Sequence, residues 1–369
     1  MIRLILIILL LLTSLLTVIK APTYHLWMLA IGAAELAWIF IVITLVVMLS
    51  GFFIHDYNTW GTVLGCVAII LFLSPLFRAY DVASHLPKAM NKALGDESDA
   101  TPLSLSVLLS GYKEAPVAYK SLPYCNNLHV DFYPAVHPGN HPCVVLVHGG
   151  SWSSGSSQDL PELNIYLANH GYHVAAINYR LAPQYICPAP VEDVYLAMDY
   201  LRAHAGELRI DTNNFVLMGR SAGAQIALLA AYREQVPGLK GVVDFYGPAD
   251  MVWGYSLPAS PLVMDSRKVM ENYLGGTYSA VPNNYAASSP VEFVNKNTVP
   301  TLLIHGEHDV LVAYEHSIRL EKKLRENGIK HFFLSLPWAT HGFDYNLKGP
   351  GGQLSTYAVL RFLQNICKG

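Results

Sequence analysis

The chain has 369 residues, enough for one large domain or two smaller ones, and it is 52% hydrophobic but only 14% charged. A net charge of −3 with no basic stripe gives no reason to expect a nucleic-acid partner. The five cysteines, Cys66, Cys125, Cys143, Cys187 and Cys367, are scattered with no CxxC or metal-ligand spacing, which argues for free thiols and against a disulfide framework.

Apolar residues crowd the start. Before Arg78 the only acidic or basic residues are Arg3, Lys20, Glu35 and Asp56. Three apolar runs result: Leu4 to Ile19, Leu26 to Leu49 and Trp60 to Phe77, the last after a polar break at residues 55–59. A spanning helix needs roughly 20 apolar residues, so residues 1–77 read as an all-α transmembrane domain of about three helices. The first run is short, and a cleaved signal peptide competes with a retained anchor there. Trp27 and Trp60 stand near span ends, where amphipathic rings favour the interface. With the N-terminus outside, the cytoplasmic flanks hold Lys20, Arg78, Lys88 and Lys92, which places the larger C-terminal part in the cytoplasm. A cleaved first run reverses that. Glu35 falls about nine residues into the second run, roughly 14 Å deep at the helical rise, and is either a functional carboxylate or a protonated packing residue.

Residues 78–122 read as a juxtamembrane linker that partly packs on the domain C-terminal to it, with a polar break at 95–99. From Leu128 the pattern is regular. Strands are expected at Leu128–Tyr133, Cys143–Val147, His173–Tyr179, Phe215–Met218, Gly241–Tyr246, Val299–His305 and Phe332–Leu336. Helices are expected at Pro161–His170, Val191–His204, Ala222–Tyr232, Tyr314–Asn327 and Leu354–Ile366. Strands alternating with helices predict an α/β domain over 123–369 with a mostly parallel sheet covered on both faces. Ligands of such sheets bind beyond the carboxyl ends of the strands, where Gly149, Ser221, Asp309 and His341 all fall.

Four motifs occupy those ends. Gly219-Arg220-Ser221-Ala222-Gly223 joins a strand to a helix and fits the G-x-S-x-G elbow, which lifts a serine hydroxyl above the sheet. His148-Gly149-Gly150-Ser151-Trp152 comes directly after a strand and can offer backbone amides to an oxyanion. The donors assigned are the amides of Gly150, Ser151 and Ala222. His305-Gly306-Glu307-His308-Asp309 supplies a carboxylate to orient an imidazole: Asp309, with Glu307 as the alternative acid. His305 and His308 lack a third metal ligand nearby and read as structural. His341, one of fifteen histidines, comes after the serine and the acid, which yields the order Ser, Asp, His. Its expected role is general base toward Ser221 and then general acid toward the leaving group. Neither a phosphate-cradling loop nor a metal set is present, so no cofactor is expected. The interruption of the sheet pattern at 248–293 carries Trp253, Tyr255, Met264, Met270 and Tyr273, and by itself reads equally as a helical excursion with its own small core.

Together with Asn178-Tyr179-Arg180-Leu181-Ala182-Pro183 and Asp244-Phe245-Tyr246-Gly247, these motifs resemble the α/β-hydrolase superfamily, specifically the hormone-sensitive-lipase-like esterases, over about residues 125–366. Ser151 departs from the third glycine that many relatives carry. The resemblance implies an α/β-hydrolase fold, a Ser221–Asp309–His341 triad and an insertion at 248–293 that lines the acyl or alcohol pocket, with Trp152, Trp253 and Tyr255 as the expected substrate contacts. It implies nothing about the apolar start. The resulting expectation is a membrane-anchored serine esterase acting on carboxylic, lipid-like esters through an acyl-enzyme on Ser221. An amide-directed hydrolase (formamidase or peptidase-like) and a non-catalytic binding protein on the same scaffold are the competing readings.

Overall fold

A computed structural model of the protein describes residues 1–52, 58–95 and 100–367. The polar breaks expected at 55–59 and 95–99 lie largely outside the described residues.

Four helices come first: α1 (Ile2–Leu15), α2 (Tyr24–Glu35), α3 (Ala37–Leu49) and α4 (Asn58–Leu94). The first half of α4 packs against α1 and α3. Arg3 closes one end of this bundle: its Nε and Nη2 donate to the carbonyls of Val47 and Met48, both at 3.2 Å. Both carbonyls belong to the last turn of α3, where Ser50 also bonds to them through its amide and hydroxyl. The second apolar run does not form one straight helix. The run from Leu26 to Leu49 divides at Leu36, and its halves, α2 and α3, meet at 87°. The reason is chemical. α3 carries no charge and joins the bundle, whereas Glu35 on α2 must find hydrogen-bond donors when buried, and these lie on the C-terminal part. Glu35 is the last residue of α2 and is buried, accepting from Trp338 and Gly351. At 14 residues α1 is about 21 Å long, short of a hydrocarbon core of about 30 Å. Among the described residues, α4 is the helix long and apolar enough to cross a membrane by itself.

The boundary expected at 77/78 falls inside α4, which continues without a break past Pro75 and Pro87. Its second half buries Ala79, Ala83, Leu86, Met90 and Leu94, spaced three and four apart, against the sheet's helical cover.

After the short α5 (Leu105–Ser110) come β1 (Lys120–Cys125), β2 (Leu128–Tyr133), β3 (His141–Val147), β4 (His173–Ile177), β5 (Ile210–Arg220), β6 (Leu239–Phe245), β7 (Thr301–Gly306) and β8 (His331–Leu336). They form one sheet in the order β1-β2-β4-β3-β5-β6-β7-β8. β2 runs antiparallel to β1 and β4, and the other neighbours are parallel. β1 has no counterpart among the expected strands. It holds Pro123 and is mostly exposed or half-buried, features of an edge strand that mute the alternation. The remaining helices are α6 (Glu162–Asn169), α7 (Ala189–Ala203), α8 (Ala205–Leu208), α9 (Ala222–Arg233), α10 (Met251–Ser256), α11 (Ser266–Leu274), α12 (Pro282–Ala287), α13 (Glu315–Glu326) and α14 (Pro350–Ile366).

Alternate strand residues feed two cores. Val145, Leu217 and Val242 face α7 and α9, while Val144, Met218 and Val243 face α14, α6 and the second half of α4. β3, β5, β6 and β7 are buried almost throughout, which explains their unbroken apolar runs.

Candidate active site

Ser221 stands between β5 and α9 at φ 54°, ψ −120°, a conformation that costs a non-glycine residue on the order of 1–3 kcal/mol. Its amide is pinned to the Phe245 carbonyl at 2.8 Å. The flanking glycines are steric necessities. A Cβ at Gly219 would overlap the Gly223 carbonyl, and one at Gly223 would overlap the carbonyls of Val147 and His148.

The loop after β8 brings His341 to this serine. The Ser221 hydroxyl lies 3.0 Å from His341 Nε2, to which it can donate. On its other side, His341 Nδ1 donates to Asp309 Oδ2 at 2.6 Å. Asp309 lies just after β7, and its Oδ1 accepts from the amides of Leu311 (2.8 Å) and Val312 (2.9 Å). Burial by itself would raise the Asp309 pKa. The His341 imidazole and the hydrogen bonds from His305 and His341 outweigh it and hold this carboxyl well below the usual range. The three residues named from the sequence thus meet. Glu307 does not join them. It is exposed, and its Oε1 accepts from the Ser335 hydroxyl at 2.7 Å.

The loop after β3 lies beside the elbow, with Gly150, Ser151 and Trp152 all at positive φ. Among the described residues, the amides of Gly150, Ser151 and Ala222 donate to no protein acceptor. Tyr179 braces the loop from below: its ring stacks on His148 at 4.3 Å and its hydroxyl donates to the His148 carbonyl.

Ser221 and Ser151 lie between two cavities. One, of about 430 Å³, is lined mainly by apolar residues that include Trp152, Leu257, Met264, Met270 and Val312. The other, of about 740 Å³, is lined by Tyr24, Trp27, Gly150, Asp159 and Tyr345 among others. Trp152 lines the first cavity as expected, stacked on Tyr273 at 4.4 Å with its indole N–H on Gln225. Trp253 and Tyr255 do not reach it. Asp250 caps α10 so that Gly254 faces the cavity. Trp253 instead packs under Arg319, and the Tyr255 hydroxyl donates to Glu271.

Four further contributors go beyond the residues the motifs single out, His305 among them having read only as structural. His305 donates from Nε2 toward Asp309 Oδ2 at 3.2 Å, and its Nδ1 sits 2.7 Å from the Ser317 hydroxyl. His316 lines the smaller cavity, and burial pushes its pKa down to about 3, so that wall is uncharged. Lys20, from the connection between α1 and α2, and Trp27, on α2, arrive from the N-terminal region: Lys20 Nζ is 3.5 Å from the Asp309 carbonyl, and the Trp27 indole donates to the His341 carbonyl at 3.0 Å. Neither has a signal in local pattern, because both contacts cross about 300 residues of chain.

A model of the BD-FAE family matches residues 130–324. The chain is similar to the esterase LipC of Mycobacterium tuberculosis, with 30% identity over 61% of this chain and 58% of that protein. It is also similar to the uncharacterized peptidase YtmA of Bacillus subtilis, with 30% identity over 51% of this chain and 71% of that one. It spans 58%, 52% and 55% of LipC, LipQ and LipM, so a little over half of each. Among solved structures, a bacterial heroin esterase superposes with a TM-score of 0.60 at 21% identity, over 78% of this chain and 93% of that one.

Proposed function

The chain belongs to the BD-FAE family and has the α/β-hydrolase fold, and from that premise we propose that it is a membrane-held serine esterase of the carboxylesterase type. The observation that carries this reading is the relay Ser221 Oγ–His341 Nε2–Asp309, at 3.0 and 2.6 Å, on a strained elbow between two cavities. His341 takes the Ser221 proton as Oγ attacks the ester carbonyl. The amides of Gly150, Ser151 and Ala222 receive the developing oxyanion, each such donor being worth about 3 kcal/mol. His341 then protonates the leaving alcohol, and water releases the acyl group by the same steps in reverse order. Asp309, held as the anion, stabilises the imidazolium in each half-reaction. The apolar smaller cavity suits an acyl chain, and the larger one, which contains Asp159, suits the alcohol side. The hormone-sensitive-lipase-like character read from the sequence remains part of this proposal.

The first half of α4, with α1 and α3, forms the membrane-held part. Ile5, Leu9, Leu12, Val46, Val63, Ile70 and Phe77 all present apolar side chains outward there. Lys20 and Arg78 lie at the catalytic end of this bundle, reaching the carbonyls of Asp309 and Pro337. By the positive-inside rule that end is cytoplasmic. A substrate drawn from the bilayer, a lipid-like ester, fits this placement.

The similarity to YtmA, a peptidase by name, favours one second reading: an amide-directed hydrolase using the same residues. The test is a chain-length series of p-nitrophenyl esters run beside an amide panel, with fluorophosphonate labelling. Ester turnover that is lost in Ser221→Ala, with labelling at Ser221, is expected. Turnover confined to amides moves the assignment to the second reading, and a folded protein that neither labels nor turns over is a binding homologue.

A further inference from the structure

The loop between β8 and α14 carries His341 but has little regular structure, only a single tight turn at Phe343–Tyr345. A base on such a loop needs external support to hold its angle to the serine. Much of that support comes from α2, far upstream of the stretch that matches the family model.

α2 touches this loop before and at the histidine, and the first turn of α14 just after it. The Trp338 indole donates to Glu35 Oε1 at 3.3 Å. The Trp27 indole donates to the His341 carbonyl at 3.0 Å, and its ring centroid lies 6.3 Å from the imidazole. The Gly351 amide donates to Glu35 Oε2 at 2.7 Å. Glu35 is 1% exposed and Trp27 4%. Gly349 and Gly351 leave the space the carboxyl fills, since a Cβ at either would run into Glu35. α2 is itself held at its start, where the Tyr24 amide donates to the Leu262 carbonyl at 3.0 Å. The Tyr246 ring, just after β6, also lies against the imidazole, with centroids 4.3 Å apart.

We propose that α2 is a clamp on the His341 loop and that Trp27 and Glu35 are positioning residues for that imidazole. The N-terminal helical region is then part of the catalytic apparatus as well as its attachment. This rests on His341 being the base toward Ser221.

The experiment uses the full chain in detergent micelles, with p-nitrophenyl butyrate as substrate. Trp27→Phe keeps the aromatic body and removes the donor. It is expected to lower kcat about tenfold, with KM within about twofold and the variant still folded at the assay temperature. Glu35→Ala is expected to lose a similar factor in kcat, and Glu35→Gln, which keeps a polar partner for Gly351 and Trp338, to recover most of it. The rate of fluorophosphonate labelling per folded molecule should fall in parallel, which a loss of folded protein alone does not produce. Wild-type kcat in Trp27→Phe and Glu35→Ala, or a loss residing wholly in KM, overturns the clamp. Failure of the underlying reading looks different: Ser221→Ala keeps its turnover, or the wild type does not label.

Discussion

Asp309 has its lone pairs fully engaged: two backbone amides on Oδ1 and two imidazoles on Oδ2. His305 Nε2 also lies 3.1 Å from the Val312 carbonyl, so that nitrogen bears the proton and Nδ1 accepts from Ser317. An aspartate anchored from three sides cannot rotate away from His341. His305→Phe removes one side and is expected to lower kcat about tenfold with KM little changed, measured by steady-state ester hydrolysis. Ser317→Ala only frees the tautomer of His305 and should cost about two- to threefold in the same assay. In the sequence His305 and His308 look alike, two histidines without a third ligand. What separates them is register: His305 ends β7 within reach of the turn that carries Asp309, whereas His308 lies on that turn and is only half-buried.

The elbow between β5 and α9 works by exclusion, since close approach of β3 and α9 leaves no volume beside Ser221. Gly223→Ala places a methyl onto the carbonyl oxygens of Val147 and His148 at the end of β3 and is expected to abolish soluble expression. A soluble variant with a wild-type unfolding midpoint would refute the steric account. The insertion of α10 to α12 works by side-chain direction. Trp253→Ala should leave KM for butyrate esters within about twofold, because the ring packs under Arg319, away from the cavity. Met264→Trp fills the smaller cavity and should shift the ester series toward shorter acyl chains. α2 adds a pH dependence. Burial, reinforced by nearby Asp344 and opposed by the bonds from Gly351 and Trp338, pushes the Glu35 pKa up from 4.5 to about 8. Below pH 4.5 the folded and unfolded chains are both protonated there, and the contribution of the neutral carboxyl is full. Between pH 4.5 and 8 the folded chain binds the extra proton, so stability falls as pH rises and levels off above 8. Thermal unfolding of Glu35→Gln across that window should show a flatter curve than the wild type. Parallel curves would remove Glu35 from the pH dependence.

At the scale of the whole molecule, one helix serves two environments: α4 is outwardly apolar over its first half and is a cover of the sheet over its second. Cys66 lies exposed on the first half. A membrane-impermeant maleimide should leave it unlabelled in intact membranes and label it once detergent is added. Equal labelling in both states would remove that half from the bilayer. The residue order by itself determined most of the sheet and the elbow, and picked out Ser221, Asp309 and His341. These come from local rules: the period of apolar residues, the glycines a tight turn demands, and the small set of side chains able to pass a proton. Only the tertiary structure decided that the second apolar run breaks at Leu36, that α2 leaves the bundle for the His341 loop, and that Trp253 and Tyr255 face away from the cavity. The physical reason is distance along the chain. The donors that draw Glu35 out of the bundle, on Trp338 and Gly351, stand 303 and 316 residues away, where no local pattern can announce them.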